Sequence, residues 1–484
     1  MSLGSNSKVA AAIVLALAAA GCGDDGNGSG DLVVPETYAF ESAFEPGESS
    51  VSYSGQTMRH VLIHDLNDYI AGLDSAIPGS FSPSEDGEVV TELDAYFRFN
   101  DSVSGGQTIR LSTTPDPRQM TYDDVGTGKD LVGKLAGNDG DPSTYHRDFS
   151  EEFAGWSDAS IADQGGGIDT PEGLVVAFFE SLEELAIAQV GGARTDGQGE
   201  PIPVYVTDEG QDLKQLIQKF LLGAITFSQG ADDYLDDDVE GKGLLADNVE
   251  QDDGAPYTSL EHQWDEGFGY FGAARDYGDY TDDEIAGAGG RDGWASGYHD
   301  TDGDGAIDLE SEYNFGHSQN AGKRDRGAVV ETDLTGQAFE AFVTGRAIIN
   351  HAAGRELTDE ELADLREQRD LALDAWEKAV AATVVHYIND TLEAMDAIGT
   401  DDYAFANHAK VWSELKGFAL GFQFSPHSPL SQEDFETLHT LLRDAPVLEE
   451  DGEEALSTYR DDLLDARDLL ESAYGFDPTN VADW

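Results

Sequence analysis

The sequence predicts an all-α fold, with two helical bundles and an irregular Gly/Asp-rich region that carries a calcium-type loop. Many stretches place apolar residues at the three- and four-residue spacing of an amphipathic helix. Several begin with a capping residue and an early acid, as Thr170-Pro171-Glu172 does. The alternation of apolar and polar residues that indicates strands is scarce outside residues 201–206.

The helices predicted for the first half of the chain follow from this periodicity. Residues 56–73 show it most simply, with a polar face between the apolar positions Met58, Val61, Leu62, Leu66 and Ile70. The later helices of this half are predicted at residues 89–99, 170–190, 207–221 and 258–271.

The second half of the chain is predicted to be more continuously helical. Residues 358–398 carry a helical pattern without a break, which favours one long helix. The other helices predicted here cover residues 334–350, 403–422, 432–442 and 453–474. Residues 229–327, by contrast, are rich in Gly and Asp and are predicted to be largely irregular.

These patterns divide the chain into five segments. Residues 1–21 form a signal peptide and residues 22–36 a flexible, polar tether. An N-terminal helical bundle covers residues 37–228, an inter-bundle region covers 229–327, and a C-terminal bundle covers 328–484.

Cys22, the only cysteine of the chain, indicates where the protein resides. It follows Ala-Ala-Gly at the end of an apolar run of residues 9–20, which is too short to cross a bilayer and has the layout of a secretory signal. A Cys at this point is typical of a bacterial lipobox, in which the thiol is acylated and the signal is removed. Gly23 favours the outer membrane or cell surface as the destination. The alternative is an ordinary signal peptide with an incidental Cys.

The charge balance excludes one class of partner. The chain has 97 acidic and 27 basic residues, for a net charge of −70. Such a surface cannot neutralise phosphates, so we expect no binding of nucleic acid. Self-repulsion on this scale is relieved by screening in concentrated salt. We therefore interpret the acidity as a halophilic adaptation; a cation-binding protein at ordinary salinity is the alternative.

Residues 300–312 predict a calcium loop. Asp300, Asp302 and Asp304 occupy positions 1, 3 and 5 of an EF-hand pattern, Gly305 permits the sharp turn, and Asp308 occupies position 9. The carbonyl of Ala306 supplies position 7, and Ser311 replaces the usual Glu of position 12, leaving Glu312 as the nearby carboxylate. We expect a structural Ca²⁺; a merely solvated acidic loop is the alternative.

A second candidate site lies on the predicted helix 258–271. His262, Asp265 and Glu266 stand at i, i+3 and i+4 and so share one helix face, a workable set for Zn²⁺ or Fe²⁺. The alternative is a buried polar network. Arg346 and Lys416, rare cations in apolar helices, are explained by buried ion pairs with Asp265, Glu266 or Glu414, or by an anionic ligand.

Several stretches together resemble an uncharacterised bacterial lipoprotein family, a domain of unknown function found in Bacteroidetes and marine bacteria. They are residues 38–41, 131–139, 262–270, 308–317, 323–325 and 412–418. The family is similar in arrangement to imelysin-like proteins, two helical bundles that carry a Gly-x-His-x-x-Glu metal motif and serve iron or ligand uptake at the cell surface. This chain departs from that motif, because Leu260 replaces the Gly and Asp265 the Glu.

The leading hypothesis is a non-enzymatic, lipid-anchored binding protein of the cell envelope, stabilised by Ca²⁺ and connected with metal or iron uptake. No catalytic residue or organic cofactor is predicted, and the small ligand or metal that it binds and its oligomeric state are open. One alternative is an imelysin-like, metal-dependent hydrolase with Glu266 as the base on a metal held by His262. The other is a calcium-stiffened structural or adhesive lipoprotein.

Overall fold

The computed structural model describes residues 32–138, 140, 145–157 and 168–484. Within these ranges the protein is all-α, as predicted: fifteen α-helices are present, no strand forms, and β pairing is limited to isolated bridges. The signal peptide, Cys22 and residues 22–31 of the tether lie outside the described residues. No helix of the described ranges combines the length and apolar character that a membrane crossing requires.

The helices are numbered here in chain order. In the first part of the chain they are α1 (Ser54–Ala76), α2 (Glu88–Phe97), α3 (Asp101–Ser104), α4 (Tyr122–Val125), α5 (Pro171–Val190), α6 (Leu213–Leu221), α7 (Ser259–Phe271) and α8 (Asp282–Ile285). The remainder are α9 (Gly316–Gly327), α10 (Leu334–Ala352), α11 (Asp359–Ala397), α12 (Phe405–Ala419), α13 (Gln432–Leu442), α14 (Glu453–Tyr474) and α15 (Pro478–Asp483).

The long helix predicted at residues 358–398 is confirmed as α11, which has 39 residues. Thr358 and Glu361 form a capping box that satisfies backbone N–H groups at its start. α11 packs along α10 and α12 and also contacts α9 and α14. Its buried face includes small residues, among them Ala375 and Ala379, which let the neighbouring helices approach closely.

The helix predicted from residue 207 begins six residues later, so that boundary was wrong. Thr207 instead closes a turn, in which its Oγ1 accepts the Gln211 N–H at 3.1 Å. Asp212 is the true N-cap of α6 and accepts the Gln215 N–H. Beyond α6 the chain continues helically through two π-helical segments, Leu222–Phe227 and Gly230–Tyr234.

Residues 229–327 contain more helix than their composition indicated. α9 in particular was not predicted, because its buried face is largely polar and therefore shows no apolar periodicity. Its buried residues include His317, Asn320, Arg324 and Asp325. This helix packs against α8, α10 and α11 and so places charged groups in the interior.

The buried apolar side chains form one large cluster that runs from Tyr38 to Trp484. A second, small cluster lies around Val206 and Phe405. The boundaries predicted for the two bundles, at residues 228 and 327, stay a prediction.

Candidate functional site

The Asp300 loop brings its first three carboxylates together. One oxygen from each of Asp300, Asp302 and Asp304 lies within 4.8 Å of the others, the only such group of potential metal ligands within the described residues. Gly305 has a φ of 91°, a left-handed conformation that glycine adopts without steric cost and that permits the sharp turn. The loop therefore presents three converging carboxylates on a tight backbone.

Hydrogen bonds inside the loop fix these carboxylates. Asp302 accepts the N–H of Asp304 at 2.9 Å, Asp304 accepts that of Ala306 at 2.9 Å, and Asp300 accepts that of Gly305 at 3.0 Å. The second oxygen of Asp300, Oδ1, is buried and has no hydrogen-bond partner. Each carboxylate thus keeps one oxygen for the backbone and directs its other oxygen elsewhere.

Glu312 has a different position from the one a ligand at the end of an EF-hand loop would take. Its Oε1 accepts the N–H groups of Thr301 and Asp302, and its Oε2 accepts that of Asp308 at 2.8 Å. The side chain is 4% exposed, and burial raises the pKa of its carboxyl. Glu312 organises the loop backbone and lies outside the group of three carboxylates.

A guanidinium from a distant segment reaches the same carboxylates. Arg118 places Nη2 at 3.1 Å from Asp302 and against Asp304, and Nη1 at 2.9 Å from Asp308. This contact holds the pKa of the Asp304 carboxyl below its ordinary value. Arg118 itself stays exposed, at 45% of its side-chain surface. The positive charge in this loop is therefore supplied by the protein itself.

The loop is also fastened to the segment that carries Arg118. The Arg118 N–H donates to the Ile307 carbonyl at 2.8 Å, and the Ile307 N–H donates to the Asp116 carbonyl at 3.0 Å. Gln119 adds two side-chain bonds, accepting from the Leu309 N–H and donating to Asp308. These hydrogen bonds join two parts of the chain that are far apart in sequence.

His262, Asp265 and Glu266 each have hydrogen-bond partners of their own. His262 Nδ1 lies 3.1 Å from the Ser52 carbonyl, and its ring stacks on Tyr257 with centroids 4.6 Å apart. Glu266 accepts from Gln56 at 2.7 Å and lies 3.9 Å from His262 Nε2.

Asp265 points into the core from the same helix. It is fully buried and accepts from the Tyr38 hydroxyl at 2.7 Å, the Ser52 N–H at 3.1 Å and Arg346 Nε at 2.8 Å. Glu261, which the sequence analysis did not single out, binds Arg346 Nη1 at 2.8 Å. This arrangement is a buried polar network centred on Arg346.

A comparison with known protein families shows which family the chain belongs to. Residues 35–284 match a family described as Domain of unknown function (DUF4856). The chain belongs to that family. No curated protein and no solved structure matches it. The DUF4856 region includes Asp265 and Glu261 but ends before the Asp300 loop and before Arg346.

The structure also reveals a cluster of cations that the sequence analysis missed. Lys219 on α6, Lys323 and Arg324 on α9, and Lys410 on α12 lie close enough to interact electrostatically with one another or with shared neighbours; we call this group the basic recess. The scarcity of basic residues was the available signal, but the four positions are spread over almost 200 residues of sequence. Lys416, which was singled out, lies elsewhere and pairs with Asp444 at 2.9 Å, not with any of the three acids proposed for it.

Proposed function

We propose that this protein is a lipid-anchored binding protein of the cell envelope whose fold is stabilised by Ca²⁺ at the Asp300 loop. The observation that carries the proposal is the convergence of Asp300, Asp302 and Asp304. Carboxylate oxygens are the ligands that Ca²⁺ prefers, and three of them on one turn repel one another without a cation. The Ala306 carbonyl and Asp308 are the further ligands that the EF-hand pattern provides.

The position of the loop gives the ion a structural role. The loop is hydrogen-bonded to residues 116–119, so a cation that orders the loop also stabilises the attachment of that segment. Glu312 supports the loop backbone from the interior. An ion bound only to the folded loop raises the free energy of unfolding by about 2.7 kcal/mol at a hundredfold excess over Kd.

Arg118 competes with Ca²⁺ in this proposal. Its guanidinium already compensates part of the negative charge on Asp302, Asp304 and Asp308. A divalent cation must displace it, and its exposed side chain can move into solvent. Together with Ser311 at position 12, this competition favours modest affinity, which millimolar extracellular calcium would satisfy.

The envelope location in this proposal depends on Cys22. A diacylglycerol on the Cys22 thiol and, after cleavage, an acyl chain on the new N-terminus would provide several chains, and each buried CH₂ contributes about 0.8 kcal/mol to membrane binding. The similarity to imelysin-like proteins implies a role in holding a small ligand or metal at the cell surface. Replacement of Cys22 by Ser should leave the protein unprocessed or release it from the membrane fraction, and unchanged detergent partitioning would contradict the anchor.

The hydrolase alternative receives less support from the geometry. A catalytic metal needs about three protein ligands with one open position. Asp265, which would be one of them, makes three hydrogen bonds to other groups and faces Arg346. His262 and Glu266 remain as two candidate ligands for a transition metal.

The calcium site can be tested by thermal denaturation with and without chelator. We expect EDTA to lower the Tm and Ca²⁺ to restore it more effectively than Mg²⁺. The double variant Asp302→Ala/Asp304→Ala should lose this difference. The matched control is Asp401→Ala/Asp402→Ala, which removes two exposed acids from a turn elsewhere and should keep the calcium response.

A second variant tests the competition with Arg118. Arg118→Gln removes the internal cation, so the EDTA-treated protein should melt lower and Ca²⁺ should bind more tightly than in the wild type. Arg98→Gln, which removes another exposed ion-paired arginine, is the control. A wild-type protein that shows no heat of binding in millimolar Ca²⁺, with the double variant melting as the wild type does, would mean that the loop is only a solvated acidic turn.

A further inference from the structure

The basic recess is unusual in a chain with a net charge of −70. Four cations meet there on α6, α9 and α12, and α11 completes the wall with His386, Tyr387 and Asp390. Burial lowers the pKa of His386 to about 4, so this ring is neutral at physiological pH. Opposite charge is provided by Glu414 and Asp390.

The charged residues of the basic recess differ in their exposure to solvent. Lys323 is exposed, and Lys410 is exposed over 50% of its side chain. Lys219 is 14% exposed in its side chain, and Arg324 and Glu414 are 8% and 5% exposed as whole residues. Water reaches the outer lysines, whereas the inner groups are enclosed by protein.

The pKa of Lys323 also reflects the protein that surrounds it. Burial and the charges of Lys219 and Arg324 together lower the pKa of Lys323 to about 8, although the residue is exposed. Surrounding protein thus removes part of the solvation of an ammonium group that water still reaches. Such an ammonium gains more from an anion than a fully hydrated lysine would.

The acids of the recess do not compensate all of this charge. Glu414 lies between two lysines, 3.6 Å from Lys219 Nζ and 3.9 Å from Lys410 Nζ. Asp390 lies 3.4 Å from His386 Nε2. Glu414 is thus shared by two lysines, whereas no carboxylate of the described residues lies within ion-pair distance of Lys323 or Arg324 on α9.

Arg324 is the cation of the basic recess that is buried without full hydrogen bonding. It is more than nine-tenths buried, and its Nε atom has no hydrogen-bond partner within the described part of the chain. Asp390 and Tyr387 act on it electrostatically, and burial still lowers its pKa to about 10. Its backbone is held in place, because the Trp484 indole donates to its carbonyl at 3.2 Å. A buried guanidinium without a bound anion is costly, so the site is preorganised for one.

We propose that the basic recess binds the oxyanion group of a small ligand, a phosphate or a carboxylate, with Arg324 as the inner contact and Lys323 at the mouth. The planar guanidinium suits two-point contact with either group, and the lysines add point charges. This site deepens the binding role proposed above and does not depend on Ca²⁺.

The surrounding charge limits the size of the ligand. A polyanion such as nucleic acid would meet repulsion from the acidic surface over its whole length. A small anion reaches the recess because screening confines the surface field to about 8 Å at physiological salt and about 3 Å at molar salt. The local charge of the recess then decides binding.

The test is calorimetric titration of the whole protein with inorganic phosphate and, separately, with succinate, at constant ionic strength and without added Ca²⁺. We expect one of the two anions to bind; phosphate alone would identify a phosphate site and succinate alone a carboxylate site. Arg324→Gln and Lys323→Gln should each weaken binding about tenfold or more. Arg326→Gln, on the same helix but paired with Asp283 at the surface, is the control and should bind as the wild type does.

Two results would overturn the proposal. The first is that neither anion binds the wild type; the second is binding that is insensitive to both Arg324→Gln and Lys323→Gln. Lys323→Gln alters an exposed side chain, so it tests the site even where Arg324→Gln does not fold. An intact calcium response in a protein without anion binding would reject the recess and leave the calcium site standing.

Discussion

Arg346 and Asp265 form a fully buried ion pair that joins α10 to α7, with 2.8 Å between Nε and Oδ1. Glu261, one turn earlier on α7, binds the same guanidinium through Nη1. Ser50 accepts from Nη2 with both its hydroxyl and its carbonyl. Since all of these groups are shielded from water, the network is stable only while every member is present.

We expect Arg346→Met to lower the free energy of unfolding by about 3–5 kcal/mol, because it leaves two buried carboxylates without their cation. The triple variant with Glu261→Gln and Asp265→Asn should recover part of this loss. Urea denaturation measures both. Arg98→Met is the control: its ion pairs with Asp94 and Glu172 are exposed, and its loss should cost less than about 1 kcal/mol. Equal losses at the two arginines would contradict the network.

Glu377 on α11 is another buried acid, but no cation within the described ranges forms an ion pair with it. Its Oε1 accepts from the Ser428 hydroxyl and, at 2.8 Å, from the Tyr474 hydroxyl. Burial raises the pKa of this carboxyl from 4.5 to about 7, because hydrogen bonds from Ser428, Tyr474 and Ser425 compensate only part of the lost solvation. The folded protein therefore keeps the proton over a pH range in which the unfolded chain releases it.

This shift predicts a loss of stability as the pH rises. The contribution of Glu377 is complete below pH 4.5 and disappears as the pH increases through about 7, a difference of about 3 kcal/mol. Glu377→Gln mimics the protonated form, so the variant should match the wild type at pH 5 and exceed it at pH 8. Unfolding titrations at several pH values measure this difference. Glu367→Gln, an exposed glutamate of α11, should follow the wild type throughout; parallel curves for Glu377→Gln and wild type would refute the shift.

The sequence predicted best those features that depend on residues close together in the chain. The helices predicted at 432–442 and 453–474 are confirmed without change as α13 and α14, because apolar periodicity is a local property. The structure also brings together one oxygen each of Asp300, Asp302 and Asp304, and their role as calcium ligands stays a prediction. α9 was missed because its buried side chains are polar.

The partners of the charged groups could not be predicted in the same way. Arg118 lies 184 residues from Asp302 in sequence, and only the folded chain brings them together. The buried pair of Arg346 with Asp265 was among the predicted explanations, but the contribution of Glu261 was not. For Lys416 the true partner, Asp444, lies after α13, where no pattern indicated it.

The acidic surface predicts a strong dependence of stability on salt. With a net charge of −70, screening that shortens from about 10 Å at 0.1 M to about 3 Å at 1 M salt should raise the Tm steeply. NaCl and KCl should act equally at the same ionic strength, since the effect is electrostatic. Scanning calorimetry across this range is the measurement. A Tm that stays flat would mean that the acids are not a halophilic adaptation.

α10 packs closely against α7 at Gly345, which has no side chain. Gly345 faces the Trp264 ring, and a Cβ at this position would overlap the indole. Trp264 cannot move away easily, because its Nε1 donates to the Phe342 carbonyl at 2.9 Å and its ring packs on that of Phe342. Gly72 on α1 offers the opposite case, since a Cβ there would meet no atom within 4 Å.

These two glycines therefore predict opposite effects of the same substitution. Gly72→Ala should raise the free energy of unfolding by up to about 1 kcal/mol, the ordinary gain of Ala over Gly within a helix. Gly345→Ala has the same intrinsic gain but must displace Trp264, and overpacking of this kind typically costs about 1–3 kcal/mol or more. We expect a net loss at Gly345, together with a changed tryptophan fluorescence spectrum, both measured during urea unfolding. Stabilisation by both substitutions would show that α10 can shift away from Trp264 at little cost.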